Sequence, residues 1–293
     1  MFEKVLPSVT AYKLPLIGLN ELRKLDRWNL EDRARALSQA IPLGDGVMLC
    51  RILGRYKLYV PSSDVGFGAH VMMEGIWEGW LTTFVARRIK PGMTAVDVGA
   101  NHGYYTMFFA DLVEARGRVV AVEPHPRTSA LLRQSVAVNG FDGRVKVLTA
   151  AAVARDGEDL TFYADPTEPK NARIIPDDTA LPQSHITKVK GMALDSVLAD
   201  CDRVDFIKID VEGAEENTLA GGMGIIARDK PDILLEFNVH RCRDPAGLLD
   251  KLEAIYGAIY VIDFHSALEV ADRSVLMDKS RTEDWSLFLS TKP

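Results

Sequence analysis

The stretch from Thr94 to Tyr105, Thr-Ala-Val-Asp-Val-Gly-Ala-Asn-His-Gly-Tyr-Tyr, constrains the fold of this chain more than any other. Its first half is apolar and β-branched, which predicts a short buried strand with one acid, Asp97, near its end. Its second half is a tight turn with Gly99 and Gly103, and residues 104–114 then stay apolar for the length of a helix. Strand, glycine turn and helix make the nucleotide-cradling unit of open α/β sheets. Glycine permits close backbone approach and positive φ. A helix start offers N–H groups that have no partner within the helix.

The rest of the chain reads as a sheet built around that turn. After strand 94–98 and helix 104–114 come strand 118–122, helix 128–138 closed by Asn139-Gly140, and strand 144–149. Strands 204–210 and 232–238 follow, with helix 215–227 between them, then a helix to Tyr256 opened by Asp244-Pro245 and ended by Gly257. Residues 258–262 and 285–289 complete seven core strands. Alternation with helices predicts parallel pairing and right-handed crossovers. The last two strands lack a good helix between them, so one is expected to run antiparallel.

Three further segments flank this alternation. Residues 19–40 carry a helical leucine stripe with Asn20 as its N-cap, ended by Pro42, Gly44 and Gly46, and a hairpin pairs 47–53 with 56–60. Residues 71–90 read as one helix stopped by Pro91-Gly92. Residues 160–163 read as an added edge strand and 164–186, with four prolines, as a long loop that is either a lid or a substrate-contacting loop. Asp195 is read as the cap of a short helix, 196–199. The division expected is an extension over 1–70, either a cap over the core or a homodimer surface, and a main domain over 71–293.

Composition narrows the function classes. A net charge of −6 without a long basic run gives no indication of nucleic acid or an anionic membrane as partner. No stretch reaches the roughly 18 apolar residues of a membrane span. Pro7, Lys13 and Pro15 break the N-terminus against a secretory signal, and Cys50, Cys201 and Cys242 have no metal-type spacing. Reduced thiols in a cytoplasmic protein are the expectation.

Chemistry gathers at the strand ends. Glu123, 20 residues after Gly103, stands where a carboxylate meets ribose hydroxyls, or else is a solvated strand-end acid. The spacing Gly99-Ala-Asn-His-Gly103 has Asn101 where a dinucleotide fingerprint has its middle glycine. That fits S-adenosylmethionine better than a pyrophosphate, with Asp97 either touching the ligand or tying down the turn. Lys208, Asp210 and Glu212 alternate along one strand side, and Gly213 turns the chain toward Glu215. Glu236, Asn238 and His240 alternate likewise, and His240 is the first candidate for a general base. His102 is expected to pack or bond locally. No metal site is expected from His70, His125, His185 or His265, although the fold can bring Asp210 and Glu236 together.

These motifs resemble one family. Residues 96–106, Ala121-Val-Glu-Pro124, Leu194-Asp-Ser196, Ile209-Asp-Val-Glu-Gly-Ala-Glu215, Leu219-Ala-Gly221 and the upstream Trp77-Glu78 are similar to the FkbM family of S-adenosylmethionine-dependent methyltransferases. The resemblance covers about residues 74–290 and departs at His102, where an aliphatic residue is usual. It implies a class I methyltransferase (Rossmann-like) fold: a seven-stranded, mostly parallel sheet with helices on both faces. It also implies O-methylation of a small molecule, sugar, glycolipid or polyketide hydroxyl. The residues expected at the cofactor are Asp97, Gly99, Asn101, Gly103, Tyr104, Glu123 and Asp210, to which the resemblance adds Glu78. Base candidates are His240, Glu212 and Glu215, in that order. Loop composition favours a glycan- or lipid-like acceptor over a highly anionic one. The competing readings are an NAD-dependent oxidoreductase and a non-catalytic cofactor-binding protein.

Overall fold

The N-terminal third lays down two helices and a small sheet before the main alternation begins. The computed structural model describes residues 16–177 and 179–293. The proline-broken segment 1–15, read above against a secretory signal, lies outside the described residues. The expected single helix over 19–40 is three elements. A one-turn helix, Leu19–Leu22, is followed by helix Arg27–Leu37, whose N-cap is Asp26, accepting from Asn29 N at 3.0 Å. Asn20 lies inside the first turn and caps nothing. Residues 39 and 40 already belong to β1 (Gln39–Gly44), the edge of an antiparallel sheet with β2 (Val47–Ile52) and β3 (Tyr56–Pro61). An edge strand tolerates Pro42 because a missing N–H costs no ladder bond there.

The expected helix over 71–90 is also broken. Helix Phe67–Glu74 ends at Gly75 in the left-handed region, and helix Gly79–Arg88 starts after Glu78, also left-handed. A Cβ on Gly75 would press on the Ala34 carbonyl, so the glycine is what lets these helices pack. The break drops Trp77 and Glu78 toward the sheet edge.

The main sheet consists of β4 (Thr94–Val98), β5 (Arg118–Val122) and β6 (Val145–Leu148), then later strands. Between these groups lie β7 (Ala151–Ala152), β8 (Asp159–Tyr163), β9 (Arg173–Ile175) and β10 (Ile186–Met192), a separate sheet in the order β7-β10-β8-β9. The expected structureless loop over 164–186 therefore contains a strand, β9, antiparallel to β8. The main sheet resumes with β11 (Phe206–Ile209), β12 (Asp232–Phe237), β13 (Tyr260–Ile262), β14 (Leu268–Val270) and β15 (Trp285–Leu289). Its order is β14-β13-β15-β12-β11-β4-β5-β6. All seven expected core strands are present, with β14 as an addition at the edge. Among those seven the antiparallel strand is β15, inserted between β12 and β13, and the added β14 also runs against the sheet.

Alternate residues of the buried strands feed two cores. Ala95, Val119, Ala121, Phe206 and Leu234 face one helical layer, and Val96, Val98, Val120, Ile207 and Ile233 face the other. The first core continues without a break into Leu30, Leu58 and Val60 of the N-terminal segment. The free edge of β3 is covered as well: Tyr59 N donates to Ser135 Oγ and Lys57 N to Asn139 Oδ1, each at 3.0 Å, from helix Pro126–Val138 and its C-cap.

Two capping details depart from the sequence reading. The helix expected over 215–227 is split at Gly221-Gly222 into Glu215–Ala220 and Met223–Asp229. Asp195 sits inside the short helix Leu194–Val197 and caps a different one, accepting from Gly224 N at 2.9 Å and Ile225 N at 2.8 Å. Two first-turn N–H groups of helix Met223–Asp229 thus depend on one distant carboxylate. Asp195→Ala is expected to lower unfolding stability by about 1–2 kcal/mol, read as a shifted urea midpoint at unchanged slope.

Candidate active site

The carboxyl ends of the parallel strands surround a cavity of about 480 Å³, where open α/β sheets take ligands. Its floor is the glycine turn. Gly99 N and Ala100 N donate to Val122 O at 3.0 and 3.1 Å, which ties the turn to β5. Gly99 has φ +76°, and a Cβ there would overlap the Asp210 carbonyl oxygen. The turn and the end of β11 therefore meet backbone to backbone. Gly103 also has positive φ, but a Cβ on it would strike Leu132, and it does not line the cavity. Its contribution is to packing.

Glu123 closes the turn from the β5 side. Its Oε2 accepts from Asn101 N at 2.9 Å and its Oε1 from His125 N at 2.8 Å, so each oxygen keeps a free acceptor site. The residue is only 6% exposed and lines the cavity. Burial lifts its carboxyl to about 7 against the pull of those two N–H bonds. Asp97, 1% exposed, accepts from Thr106 Oγ1 at 2.6 Å through Oδ2. Its Oδ1 and the Oδ1 of Asn101 are buried and have no hydrogen-bond partner among the described residues. Buried polar atoms are normally paired, so two unpaired oxygens lining one cavity mark where a ligand would bond.

A second wall is built around Lys208. Burial opposes its charge, but Asp210, Asp97 and Glu78 together hold the ammonium well above its ordinary range. Lys208 Nζ donates to Asp210 Oδ2 at 2.7 Å and lies 4.9 Å from the Tyr105 ring centre. Tyr105 OH donates to Glu78 Oε2 at 2.8 Å. Tyr104 shares a 2.9 Å hydrogen bond with Thr82 Oγ1, and both Tyr104 and Glu78 line the cavity. Burial raises the Glu78 carboxyl and Lys208 lowers it.

The third wall corrects the base assignments. Asp210, Glu212 and Glu236 place carboxylate oxygens within 4.8 Å of one another. The triad that could hold a metal is already occupied by cations: Lys208 on Asp210, and Arg241 on Glu212 and, at 3.2 Å, on Glu236. Arg241 also binds Asp284. Glu236 is raised by burial and by Asp210 and Glu212, and Glu212 is raised by burial and by Asp210 to about 7. His240 is exposed, away from the cavity lining, with Nε2 2.9 Å from Arg281 O. The reason is local: β12 ends at Phe237, and a turn closed by Arg241 N to Asn238 O swings Arg241 inward and His240 out. Glu215 is also removed from the cavity, since its Oε1 accepts from Val211 N and Gly213 N at 3.3 and 3.1 Å and braces the turn. Sequence reasoning missed Arg241, Asp284, Trp80, Phe162 and Lys170, all lining residues. Arg241 had a signal, a strong cation next to an acidic strand end, that the two-residue period obscured.

His102 is fully buried under Phe67, ring centres 5.8 Å apart, with Nε2 3.6 Å from Asp64 Oδ2. Neither ring nitrogen has a hydrogen-bond partner among the described residues. The glycine turn is thus roofed by Asp64 and Phe67, residues that precede the main alternation.

The residues suit S-adenosylmethionine. Glu123 has free acceptor sites for ribose hydroxyls, and the carboxylates of Glu78, Asp97 and Asp210 match a sulfonium and an ammonium. The sheet order with its inserted antiparallel strand, together with this cavity, defines a class I S-adenosylmethionine-dependent methyltransferase. Residues 97–256 match the Methyltransferase FkbM domain, more than half of the chain, and the chain belongs to that family. A 59-residue stretch, 20% of this chain, is 39% identical to the protein-L-isoaspartate O-methyltransferases of Methanopyrus kandleri and Aeropyrum pernix. It covers 26% and 23% of those proteins, so the chain spans about a quarter of their length. Among solved structures, the chain is similar to Methyltransferase FkbM from Methylobacillus flagellatus KT, with 20% identity, a TM-score of 0.40, and 57% of this chain and 37% of that one covered. It is also similar to the Methanococcus jannaschii fibrillarin pre-rRNA processing protein, with 13% identity, a TM-score of 0.41, and 87% and 98% covered. No helix among the described residues is long and apolar enough to cross a membrane.

Glu123 gives a signed prediction. Its folded value of about 7 lies above the ordinary 4.5. The folded ligand-free protein therefore binds the extra proton, and this stability is complete below 4.5 and lost as pH rises through 7. Glu123→Gln is expected to flatten that decline in urea titrations of the free protein. The same change should abolish S-adenosylmethionine binding in calorimetry, and undiminished affinity would remove Glu123 from the site.

Proposed function

We propose that this protein transfers a methyl group to a hydroxyl oxygen of a small-molecule, sugar, glycolipid or polyketide acceptor, with Glu212 as the base. The observation that carries the reading is the Glu212–Arg241–Glu236 group in the cavity lining, just past the point where the glycine turn meets Asp210. When bound, S-adenosylmethionine supplies an electrophilic methyl group. The protein's part is to orient the acceptor and to take its proton. Glu212, poised near 7, accepts a hydroxyl proton at neutral pH without giving up its place on Arg241. Glu236, held protonated by burial and by its acidic neighbours, donates a hydrogen bond to an acceptor oxygen. Trp77 and Trp80 add aromatic surface to the lining beside these polar groups.

Methyl-labelled S-adenosylmethionine, incubated with the protein and panels of monosaccharides, glycolipids and polyketides, should give O-methylated products by mass spectrometry. Transfer solely to isoaspartyl peptides or RNA, or hydride exchange with NAD, would defeat the reading. With a reactive acceptor, kcat/KM should rise with pH and level off above about 7. Glu212→Gln should lower kcat about 10²- to 10⁴-fold while leaving cofactor affinity near that of the native protein.

A further inference from the structure

Three cations line the cavity, and two are already neutralised. Lys208 is paired with Asp210, and Arg241 with Glu212, Glu236 and Asp284. The third, Lys170, has no carboxylate within ion-pair distance among the described residues, and its Nζ lies 5.8 Å from the Trp77 ring centre. It is carried on a short 3₁₀ turn, Pro169–Asn171, between β8 and β9. Its placement is built. Val65 N donates to Thr167 O at 2.9 Å and Ser63 Oγ to Pro166 O at 3.1 Å, which docks the loop on the segment before helix Phe67–Glu74. The lysine stem passes over Gly66, where a Cβ would press on its Cε. Burial raises the Glu78 and Glu212 carboxyls, and Lys170 is among the cations that oppose that rise.

We propose that Lys170 receives the α-carboxylate of the methionyl arm of S-adenosylmethionine, so that this loop acts as a cofactor latch. The inference rests on the cofactor assignment above. A carboxylate entering this cavity meets Glu78, Asp97, Asp210, Glu212 and Glu236, and one cation without an acidic partner. The cofactor must bring a carboxylate in beside its own ammonium and sulfonium.

The test is calorimetry of the whole protein with two adenosyl probes. S-adenosylhomocysteine carries the amino-carboxylate arm, and 5′-methylthioadenosine lacks it. Lys170→Met is expected to weaken S-adenosylhomocysteine binding about ten- to hundred-fold, to leave 5′-methylthioadenosine affinity unchanged, and to be largely rescued by Lys170→Arg. Unchanged S-adenosylhomocysteine affinity in Lys170→Met, including the case where only the acceptor KM rises, would overturn the latch. An equal loss for both probes would overturn it too, because the lysine would then be supporting the loop and not reading a carboxylate. Failure of the native protein to bind either probe would remove the cofactor assignment first.

Discussion

The site depends on a contact made possible by one missing side chain. Gly99 brings the turn after β4 against the Asp210 carbonyl at the end of β11, closer than any Cβ permits. Parallel pairing of the two strands sets their register, Asp97 opposite Lys208 and Val98 opposite Ile209. The backbone contact then continues that register past the end of the sheet, where hydrogen bonds no longer enforce it. Asp97, Asn101, Asp210 and Glu212 share a cavity for that reason.

The charges gathered there are stable only as a set. A buried ion pair is costly when either partner is removed, and Lys208, only 5% exposed, is surrounded by Asp97, Asp210 and Glu78. Arg241 has the same relation to Glu212, Glu236 and Asp284 on the far side. Each cation answers a surplus of acids. Burial, with that surplus, raises several of the carboxyls, which suits both holding a cationic ligand and exchanging a proton.

The strands were legible because burial on both faces leaves a plain mark: Val96, Val98, Val120, Val122, Ile207 and Ile209 fill one core, and Ala95, Val119, Ala121 and Phe206 between them fill the other. So was the pair of Gly99 and Glu123, because glycine and a strand-end acid at that spacing have few other uses. What stayed hidden depended on where regular structure stops. Residues 71–90 keep a helical pattern through Gly75 to Glu78, and only packing against Ala34 breaks the helix there. The alternation from Glu236 to His240 holds in sequence and fails in space, because the strand ends at Phe237. Lys170 lies in a proline-rich segment with no period to read, and its place is fixed by contacts with residues a hundred positions away.

Three cavity-lining side chains, Glu78, Asn101 and Glu212, stand on left-handed backbone, with φ of +43°, +50° and +53°. Non-glycine residues pay on the order of 1 kcal/mol for that conformation. Glycine would relieve the cost at each position and would remove a cavity group at the same time. A search of variants for thermal endurance alone would therefore be drawn to these three positions, and each gain would erase part of the binding surface. Robustness and chemistry compete here residue by residue, on a backbone shaped for the second.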